Sequence, residues 1–592
     1  MLRVPSVLLT LAFFSLFAGT AFAQTPPPPE SEAPATTLQV TARNVLLDVV
    51  VTDKQDKPVS GLRKEDFQVF EDGKPQTITF FEPAFPAAAG AAPAAPVPPL
   101  PPNTFTNVPA VAPNNAVNVL LMDALNTNMG DQAFVHREIV RYLASIPPGT
   151  RIGIFLLSEK LRIVQGITQD STLLRASIAR LAANPSQSAL LPTPGEIDAQ
   201  TGAVNMIMDQ ATANNSAQIQ ASATALQQFL AQQNTFELNA RSVMTMEALQ
   251  QIARYLAGIP GRKNLIWFLG SFPDCIATEC PYIDEYKKTV DALADARVSV
   301  YPIDAKGIKI NSMHDVENAH PPGLAANEQQ AIAAQASSLR SDLNVDAINQ
   351  GNMELLAKET GGKATYNGND FKDALAADID NGSRYYALAY TPADRRELGK
   401  ERKIEIKTAS GGYKLSYRRG YYEDSATKSK AAGTAAAKDP LRQLMDRGMP
   451  NFTELRYREN LAPARAQPAA DAPRAGDNAA LKAPFTRYSV NFSLATDGLT
   501  LLPGADGVRR GTIEVALVAY NQEGTPLNWG VRIIGLAIRP EQNAIAQASG
   551  IPFHFDFDLP PGDVYLRTGI YDASTSKAGT LELPLSSITD AR

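Results

Sequence analysis

The central part of the chain alternates short, wholly apolar runs with stretches in which apolar residues recur every three or four positions. The run from Val117 to Met122 is followed by a helical pattern that places Val135 and Ile139 on one face. Similar apolar runs stand at 151–157, 265–269 and 298–303. Apolar strands that alternate with amphipathic helices are typical of a mainly parallel sheet covered on both faces. Residues 116–425 are therefore predicted to form a doubly wound α/β domain.

Two stretches rich in Ala and Gln, residues 185–234 and 306–349, interrupt this alternation. Both leave from loops of the predicted α/β domain, and recognition usually resides on loops carried by a rigid scaffold. They are therefore predicted to be insertions that determine specificity for a partner. Residues 383–425 return to a strand pattern and are predicted to be a β extension of the same domain.

The segments on either side of this domain carry strand patterns without helices. Residues 37–82 surround the dipeptide Asp72-Gly73, which favours a hairpin because both positions tolerate positive φ, and they predict a small β module. Residues 486–592 alternate strand runs with turns and predict a β-sandwich. The predicted fold class is thus α/β, a doubly wound, mainly parallel sheet flanked by these two β regions. The segments rich in Pro, Ala or polar residues are predicted to be a tether (24–36), a linker (83–115) and a linker region (426–485).

The N-terminal sequence predicts export. Arg3 precedes an almost wholly apolar run from Val4 to Phe17, and Ala21-Phe22-Ala23 has the small residues that signal peptidase accepts, so residues 1–23 are predicted to be a signal peptide. The run is shorter than the about 20 apolar residues of a membrane span, with an uncut anchor as the alternative. No later stretch of the sequence is long and apolar enough to span a bilayer. The mature chain is expected to begin near Gln24 and to be extracytoplasmic, either periplasmic or secreted.

Composition and charge exclude some functions. Charged residues make up 20% of the chain and hydrophobic residues 44%, as in ordinary soluble globular proteins. The net charge of −6 is small for 592 residues, and no basic stripe is visible, so nucleic-acid binding is set aside. The two cysteines, Cys275 and Cys280, are close in sequence, and in an exported chain they predict a short-loop disulfide, with two free thiols as the alternative.

No catalytic signature is present in the sequence. It lacks the Gly-x-Ser-x-Gly elbow, the zinc-binding His-Glu-x-x-His, the phosphate-binding loop and the dinucleotide fingerprint. The chain is therefore predicted not to be an enzyme, and a hydrolase with an unrecognised site is the least favoured alternative. The four histidines are scattered along the chain: His136, His314, His320 and His554.

An ordered set of short sequences carries a resemblance to a known family. The members are Val50 to Asp53, Pro58 to Leu62, Asp66-Phe67, Glu71 to Gly73, Leu121 to Thr127, Pro260 to Trp267, Tyr301 to Asp304, Leu356 to Gly362 and Tyr385 to Pro392. In this set the chain resembles the VWFA-related proteins of the acidobacterial type, which contain a von Willebrand factor A (vWA) domain. The likeness covers residues 37–425, and the C-terminal β region fits it less specifically.

The resemblance implies a metal-ion-dependent adhesion site at the carboxyl ends of the strands. The family pattern is Asp-x-Ser-x-Ser on the first loop, a Thr on a second loop and an Asp after the fourth strand. Asp123 and Thr127 match the first and last positions, but Leu125 replaces the middle hydroxyl and Gly270 the second Asp. Asn126 would supply an oxygen only in a shifted register. The other candidate ligands are Ser242, Thr245 and Ser271.

Such a degenerate set would hold Mg²⁺ or another divalent cation weakly, because one carboxylate neutralises less of the ion's charge than two. The alternative for Asp123 is a carboxylate that caps the following helix. The chain is thus expected to be an exported, non-enzymatic binding or adhesion-type protein whose vWA-like domain contacts an unidentified protein partner, with this site as one contact. The alternative function is a structural or assembly component of the cell envelope, in which sheet edges pair with another chain.

Overall fold

The structure is a computed structural model that describes residues 44–85, 100–109, 116–183, 200, 202–208, 210, 216–272, 282–307, 346–368, 371–392, 401–422, 440–465, 467–468 and 473–588. The predicted signal peptide, the tether 24–36, both cysteines and most of the insertion 306–349 lie outside these residues. Among the described helices, none combines the length and the apolar character that crossing a membrane requires.

The strands and helices are numbered in chain order. The strands are β1 (Val45–Thr52), β2 (Phe67–Glu71), β3 (Lys74–Gln76), β4 (Ile78–Ala84), β5 (Thr104–Thr106), β6 (Val117–Asp123), β7 (Arg151–Leu157), β8 (Leu161–Thr168), β9 (Lys263–Leu269), β10 (Val298–Asp304), β11 (Tyr385–Tyr390), β12 (Glu401–Thr408), β13 (Lys414–Ser416), β14 (Gly420–Tyr422), β15 (Tyr457–Pro463), β16 (Thr486–Leu494), β17 (Leu502–Pro503), β18 (Arg509–Tyr520), β19 (Pro526–Ile538), β20 (Ile551–Leu559), β21 (Tyr565–Asp572) and β22 (Lys577–Pro584). The helices are α1 (Met129–Ala144), α2 (Ser171–Ala183), α3 (202–208), α4 (Ala217–Leu256), α5 (Ile283–Asp295), α6 (346–360), α7 (Phe371–Gly382), α8 (Pro440–Leu444) and α9 (Asn543–Ser549).

The central sheet has the strand order β10-β9-β6-β7-β8. Strands β6, β7, β9 and β10 pair in parallel, whereas β8 is antiparallel to β7. A parallel bridge between Ile303 and Thr365 adds one more pairing beside β10. Every residue of β6, β7 and β9 is buried, which is why these strands are continuous apolar runs in the sequence.

Helices cover both faces of this sheet. On one face α4, α5 and α6 pack against alternate strand residues that include Leu121 and Trp267. On the other face α1, α2 and α7 pack against the residues between them, which include Leu120 and Phe268. Since fully burying a side chain of this size stabilises by about 1.5–3 kcal/mol, the two cores hold the sheet rigidly. The predicted α/β class is confirmed.

The strands before and after the α/β domain pair with each other. Strand β1 lies between β11 and β13 in one four-stranded sheet, and β2 pairs with β12 in a second. The two sheets share one core, to which Leu47, Val69, Tyr386 and Ile404 belong. From the sequence these strands belong to two separate segments, 37–82 and 383–425, because strand patterns do not specify which distant strands pair.

The C-terminal region consists of two further sheets around one core. One has the order β20-β16-β15-β5, and the other has the order β17-β18-β21-β22, with β19 on the outer side of β18. Two strands of these sheets lie in segments that the sequence predicts to be linkers. Strand β5 lies in the predicted linker 83–115, and β15 lies in the predicted linker region 426–485. Strand β5 has three residues, which are too few for a recognisable period-2 pattern. Strand β15 has seven, but like β5 it lies beside Ala- and Pro-rich sequence that conceals it.

Thr453 joins the C-terminal sheets to the end of α4. Its hydroxyl accepts a hydrogen bond from the backbone N–H of Gly258 (2.7 Å) and donates to the carbonyl oxygen of Tyr255 (2.8 Å). A Cβ on Gly258 would lie 2.4 Å from the carbonyl oxygen of Thr453, so the contact requires glycine there. The C-terminal end of α4 is therefore held by both the α/β core and the C-terminal sheets.

Candidate functional site

The carboxyl ends of β6, β7 and β9 meet at one edge of the central sheet, and the loop after β6 lies there. The backbone N–H groups of Ala124 and Leu125 donate to the carbonyl oxygen of Leu157 at the end of β7 (2.8 and 3.1 Å). The guanidinium of Arg241, on α4, donates to the carbonyl oxygen of Leu125 (2.9 Å). This loop is therefore held from the neighbouring strand and from α4 together.

The carboxylate of Asp123 is buried at this edge and accepts three N–H donors that are neutral. Its Oδ1 accepts from the backbone N–H of Asn126 (2.9 Å). Its Oδ2 accepts from the Asn126 carboxamide (2.8 Å) and from the indole Nε1 of Trp267 (3.0 Å). Burial raises the pKa of Asp123 to about 6, although the hydrogen bonds from Asn126 and Trp267 act in the opposite direction.

The carboxamide of Asn126 lies between two of the predicted metal ligands. Its Nδ2 donates to Asp123 and also to the hydroxyl of Thr245 on α4 (2.9 Å). Asn126 and Thr245 are both buried. The sequence predicts Asn126 only as a source of oxygen, whereas in the structure its N–H₂ group faces these two side chains.

The remaining predicted ligands have other partners. The Thr127 hydroxyl accepts from the backbone N–H of Gly270 (2.9 Å). The Ser242 hydroxyl donates to the carbonyl oxygen of Leu238 within α4 (2.9 Å), and the backbone N–H of Ser271 donates to the carbonyl oxygen of Asn126 (2.9 Å). The structure thus joins Asp123 and Thr245 through Asn126, while the Thr127 hydroxyl bonds to Gly270 and the Ser242 hydroxyl is used inside its own helix.

At the two positions where the sequence departs from the family pattern, the surroundings accommodate an apolar residue (Leu125) and a small residue (Gly270). Leu125 is buried and belongs to the core that includes Phe155 and Met246. At Gly270 a Cβ would lie 3.1 Å from the carbonyl oxygen of Asn126 and 3.2 Å from Cα of Thr127, so a larger residue would need the loop to shift.

These donors and acceptors do not fit a divalent cation. A hard cation needs several free oxygen lone pairs directed at one point. The carboxylate oxygens of Asp123 and the hydroxyl oxygens of Thr127 and Thr245 each already accept an N–H donor, and the Asn126 N–H₂ group lies between Asp123 and Thr245. Within the part of the chain that the structure describes, there is also no group of three or more His, Cys, Asp or Glu residues that would hold a metal ion. The metal-binding role of these residues stays a prediction from the resemblance.

Helix α4 continues far past this edge. Its 40 residues span about 60 Å at 1.5 Å per residue, whereas the seven residues of β9 span about 23 Å. The helix contacts the edge at Arg241 and Thr245 and ends at Leu256 beside the opposite edge. We call its first part, residues 217–240, the projecting half of α4, and it extends about 36 Å from the site.

The projecting half carries exposed apolar side chains. Phe229 and Phe236 are 61% and 70% exposed, and Ile219 and Leu226 are 47% and 40% exposed. Their spacing of seven, three and seven residues places them on one side of the helix. A different side is covered, since Ala223 is buried and Gln227 donates to Asn205 of α3 (3.1 Å). Residues 217–234 of this segment belong to the predicted insertion 185–234, whose Ala- and Gln-rich composition does not show that they form one continuous helix with the residues that follow.

Comparisons with known proteins found no matching family model and no matching curated protein. Among solved structures, BatB from Bacteroides thetaiotaomicron is 13% identical with a TM-score of 0.22, over 45% of this chain and 98% of that one. A von Willebrand factor type A protein from Catenulispora acidiphila is 11% identical with a TM-score of 0.16, over 55% of this chain and 69% of that one. Manganese-loaded TRAP protein from Plasmodium vivax is 8% identical with a TM-score of 0.20, over 53% of this chain and 94% of that one. vWA proteins are thus among the similar structures, but likenesses this low decide neither family nor function.

Proposed function

We propose that this chain is an exported, non-enzymatic binding protein that contacts a protein partner through the projecting half of α4. The observation that carries the proposal is the stripe of Ile219, Leu226, Phe229 and Phe236, which stays exposed on a helix anchored at the edge of the α/β domain. Export is supported by the apolar run from Val4 to Phe17.

The chemistry of the stripe indicates the kind of partner. No charged residue occurs from residue 210 to residue 236, so neither ion pairing nor charge repulsion selects what binds there. Exposed aromatic rings at the centre of a patch are typical anchors of protein–protein interfaces. The partner is therefore an uncharged apolar groove or amphipathic helix of another protein, which buries Phe229 and Phe236.

The way α4 is attached to the rest of the chain suits the binding of a partner. Arg241 and Thr245 attach α4 to the loop after β6, and Thr453 holds the other end of the helix. A helix fixed at these points presents its free half in one orientation, which lowers the entropy lost when a partner binds.

The experiment compares the mature chain with the variant Phe229→Gln/Phe236→Gln. A matched control, Leu173→Gln/Ile545→Gln, replaces two exposed apolar residues that are 50% and 66% exposed on α2 and α9. Each immobilised protein is incubated with an envelope extract of the cells that make it, and any retained protein is then purified and its dissociation constant for each variant is measured.

We expect one retained protein whose purified form binds the wild type and the control alike and binds the Phe229/Phe236 variant at least about 100-fold more weakly, as loss of two aromatic anchors at an interface commonly causes. Equal binding of the wild type, the control and the Phe229/Phe236 variant would show that the partner does not bind to the projecting half of α4. Turnover by the wild type in a broad hydrolase screen, abolished by Asp123→Ala, would overturn the non-enzymatic assignment.

A second candidate function, assembly of the cell envelope through a sheet edge, is favoured by β19. This strand pairs with β18 along one side; on the other side Asp477 bonds to the backbone at Trp529 and Val531, and the Ile533 side chain beyond them is 77% exposed. Addition of a strand from another chain is a common binding mode at such an edge. If Ile533→Lys, and not the Phe229/Phe236 variant, abolished binding of the retained protein, this second function would replace the first.

A further inference from the structure

The loop after β6 contains a closed set of hydrogen bonds whose composition the proposed partner binding does not explain. Both donating directions of the Asn126 carboxamide are occupied, one by Asp123 and one by Thr245. Trp267 supplies another donor to the same carboxylate oxygen. Asp123, Asn126 and Thr245 are 2%, 4% and 0% exposed, so water does not compete for these bonds.

The orientation of the carboxamide follows from its neighbours. If the amide were turned over, its carbonyl oxygen would face the Asp123 carboxylate, and two acceptors would oppose each other in a buried place. The N–H₂ group therefore points toward the carboxylate and brings a partial positive charge to it. A neutral amide does so without the cost of removing an ion from water.

We propose that the Asn126 carboxamide, together with the Trp267 indole, takes the place of a divalent cation between Asp123 and Thr245, so that this edge of the α/β domain is complete without a metal ion. The same interpretation accounts for Leu125 and Gly270. A buried leucine anchors the loop where the family pattern has a hydroxyl, and a second carboxylate at Gly270 would need the backbone of Asn126 and Thr127 to shift.

The proposal is independent of the partner on α4, because it concerns only the support of that helix. It does imply that binding by the projecting half is insensitive to chelators. Thr245, which a metal ion would draw toward itself, is held by Asn126 with no cation involved.

The first experiment titrates Mn²⁺ into the wild type and into Asp123→Asn, and follows bound Mn²⁺ by electron paramagnetic resonance. We expect identical titrations up to about 1 mM, the weak end of affinities for extracellular Ca²⁺ modules, since any binding comes from acidic residues elsewhere. One additional bound Mn²⁺ per wild-type chain, lost in Asp123→Asn, would overturn the proposal. This comparison stays decisive even if other variants do not fold.

The second experiment converts the amide into a carboxylate with Asn126→Asp. Two carboxylates and the Thr245 hydroxyl then face one point, so this variant should bind one Mn²⁺, and a cation at about 100 times its dissociation constant should raise its melting temperature by about 5 °C. The control Trp267→Phe removes a donor but leaves the amide, and its melting temperature should not respond to Mn²⁺. A response of the wild type and Trp267→Phe equal to that of Asn126→Asp would contradict the proposal.

Discussion

The two edges of the central sheet both carry buried polar networks, but they differ in charge and in what they connect. At the carboxyl edge, one carboxylate, Asp123, accepts neutral donors that all come from the α/β domain. At the amino edge, the guanidinium groups of Arg262 and Arg297 reach across to the N-terminal strand β1.

Arg262 is the centre of the amino-edge network. It is 1% exposed and donates to the carbonyl oxygens of Asp48 (3.2 Å) and Gly361 (2.7 Å) and to the hydroxyl of Tyr301 (3.0 Å). Arg297 forms an ion pair with the Asp48 carboxylate through two N–H groups. The planar fork of arginine suits several fixed acceptors at once. This edge therefore attaches the flanking sheets.

The difference between the two edges shows that residues of one short motif have different structural roles. The Pro260 to Trp267 sequence contributes Arg262 to the attachment of the β sheets and Trp267 to the closed network at the other edge. The two networks lie at opposite edges because β9, which has seven residues, crosses the sheet from one edge to the other.

The largest effect is expected from Arg262→Ala. It leaves the Asp48 and Gly361 carbonyl oxygens and the Tyr301 hydroxyl without this donor in a buried place, and should lower the free energy of unfolding by about 3–5 kcal/mol. Denaturant unfolding measures this. Arg384→Ala, which removes an exposed i,i+4 ion pair with Asp380, is the control and should cost less than about 0.5 kcal/mol. Equal losses would mean that the amino edge is not an attachment.

An intermediate effect on the free energy of unfolding is expected from the titration of Asp123. Its pKa is raised by burial from 3.8 to about 6, so the folded chain binds a proton more readily than the unfolded chain. The resulting penalty is absent below about pH 4, grows as the pH rises and is complete above about pH 6, where it amounts to about 3 kcal/mol. Asp123→Asn removes this contribution.

The measurement is the free energy of unfolding of the wild type and Asp123→Asn between pH 4 and pH 7. Their difference isolates Asp123 from other buried carboxyls with raised pKa values, such as Glu459 at about 8. We expect the wild type to lose stability relative to the variant as the pH rises. A difference that does not change with pH would show that Asp123 keeps an ordinary pKa.

The smallest effect on stability is expected from Phe229→Gln/Phe236→Gln. Both rings are mostly exposed, so their loss should change the free energy of unfolding by less than about 0.5 kcal/mol. Denaturant unfolding beside the Leu173→Gln/Ile545→Gln control measures this. A loss of several kcal/mol would mean that the stripe is packed within the chain and is not free for a partner.

The pattern of residues indicates where the carboxyl edge of the central sheet lies but not the hydrogen bonds formed there. Asp123, Thr127 and Thr245 are candidate ligands through the resemblance; the structure joins Asp123 and Thr245 through Asn126, whereas Thr127 accepts from Gly270. The role of Asn126 is visible only in the structure, since a sequence does not show whether an amide turns its oxygen or its nitrogen toward a neighbour. The Pro260 to Trp267 motif likewise does not indicate that Trp267 bonds to Asp123.

The sequence by itself determined part of the local structure of this protein, namely the buried strands of the central sheet and several of the helices that cover it, because hydrophobic periodicity depends on neighbouring residues. Only the tertiary structure decided which strands pair, as Val45 with Tyr390, and which donors reach Asp123. Pairing and hydrogen bonding depend on distances between residues far apart in the chain. Those distances are set when the cores pack, and no local pattern records them.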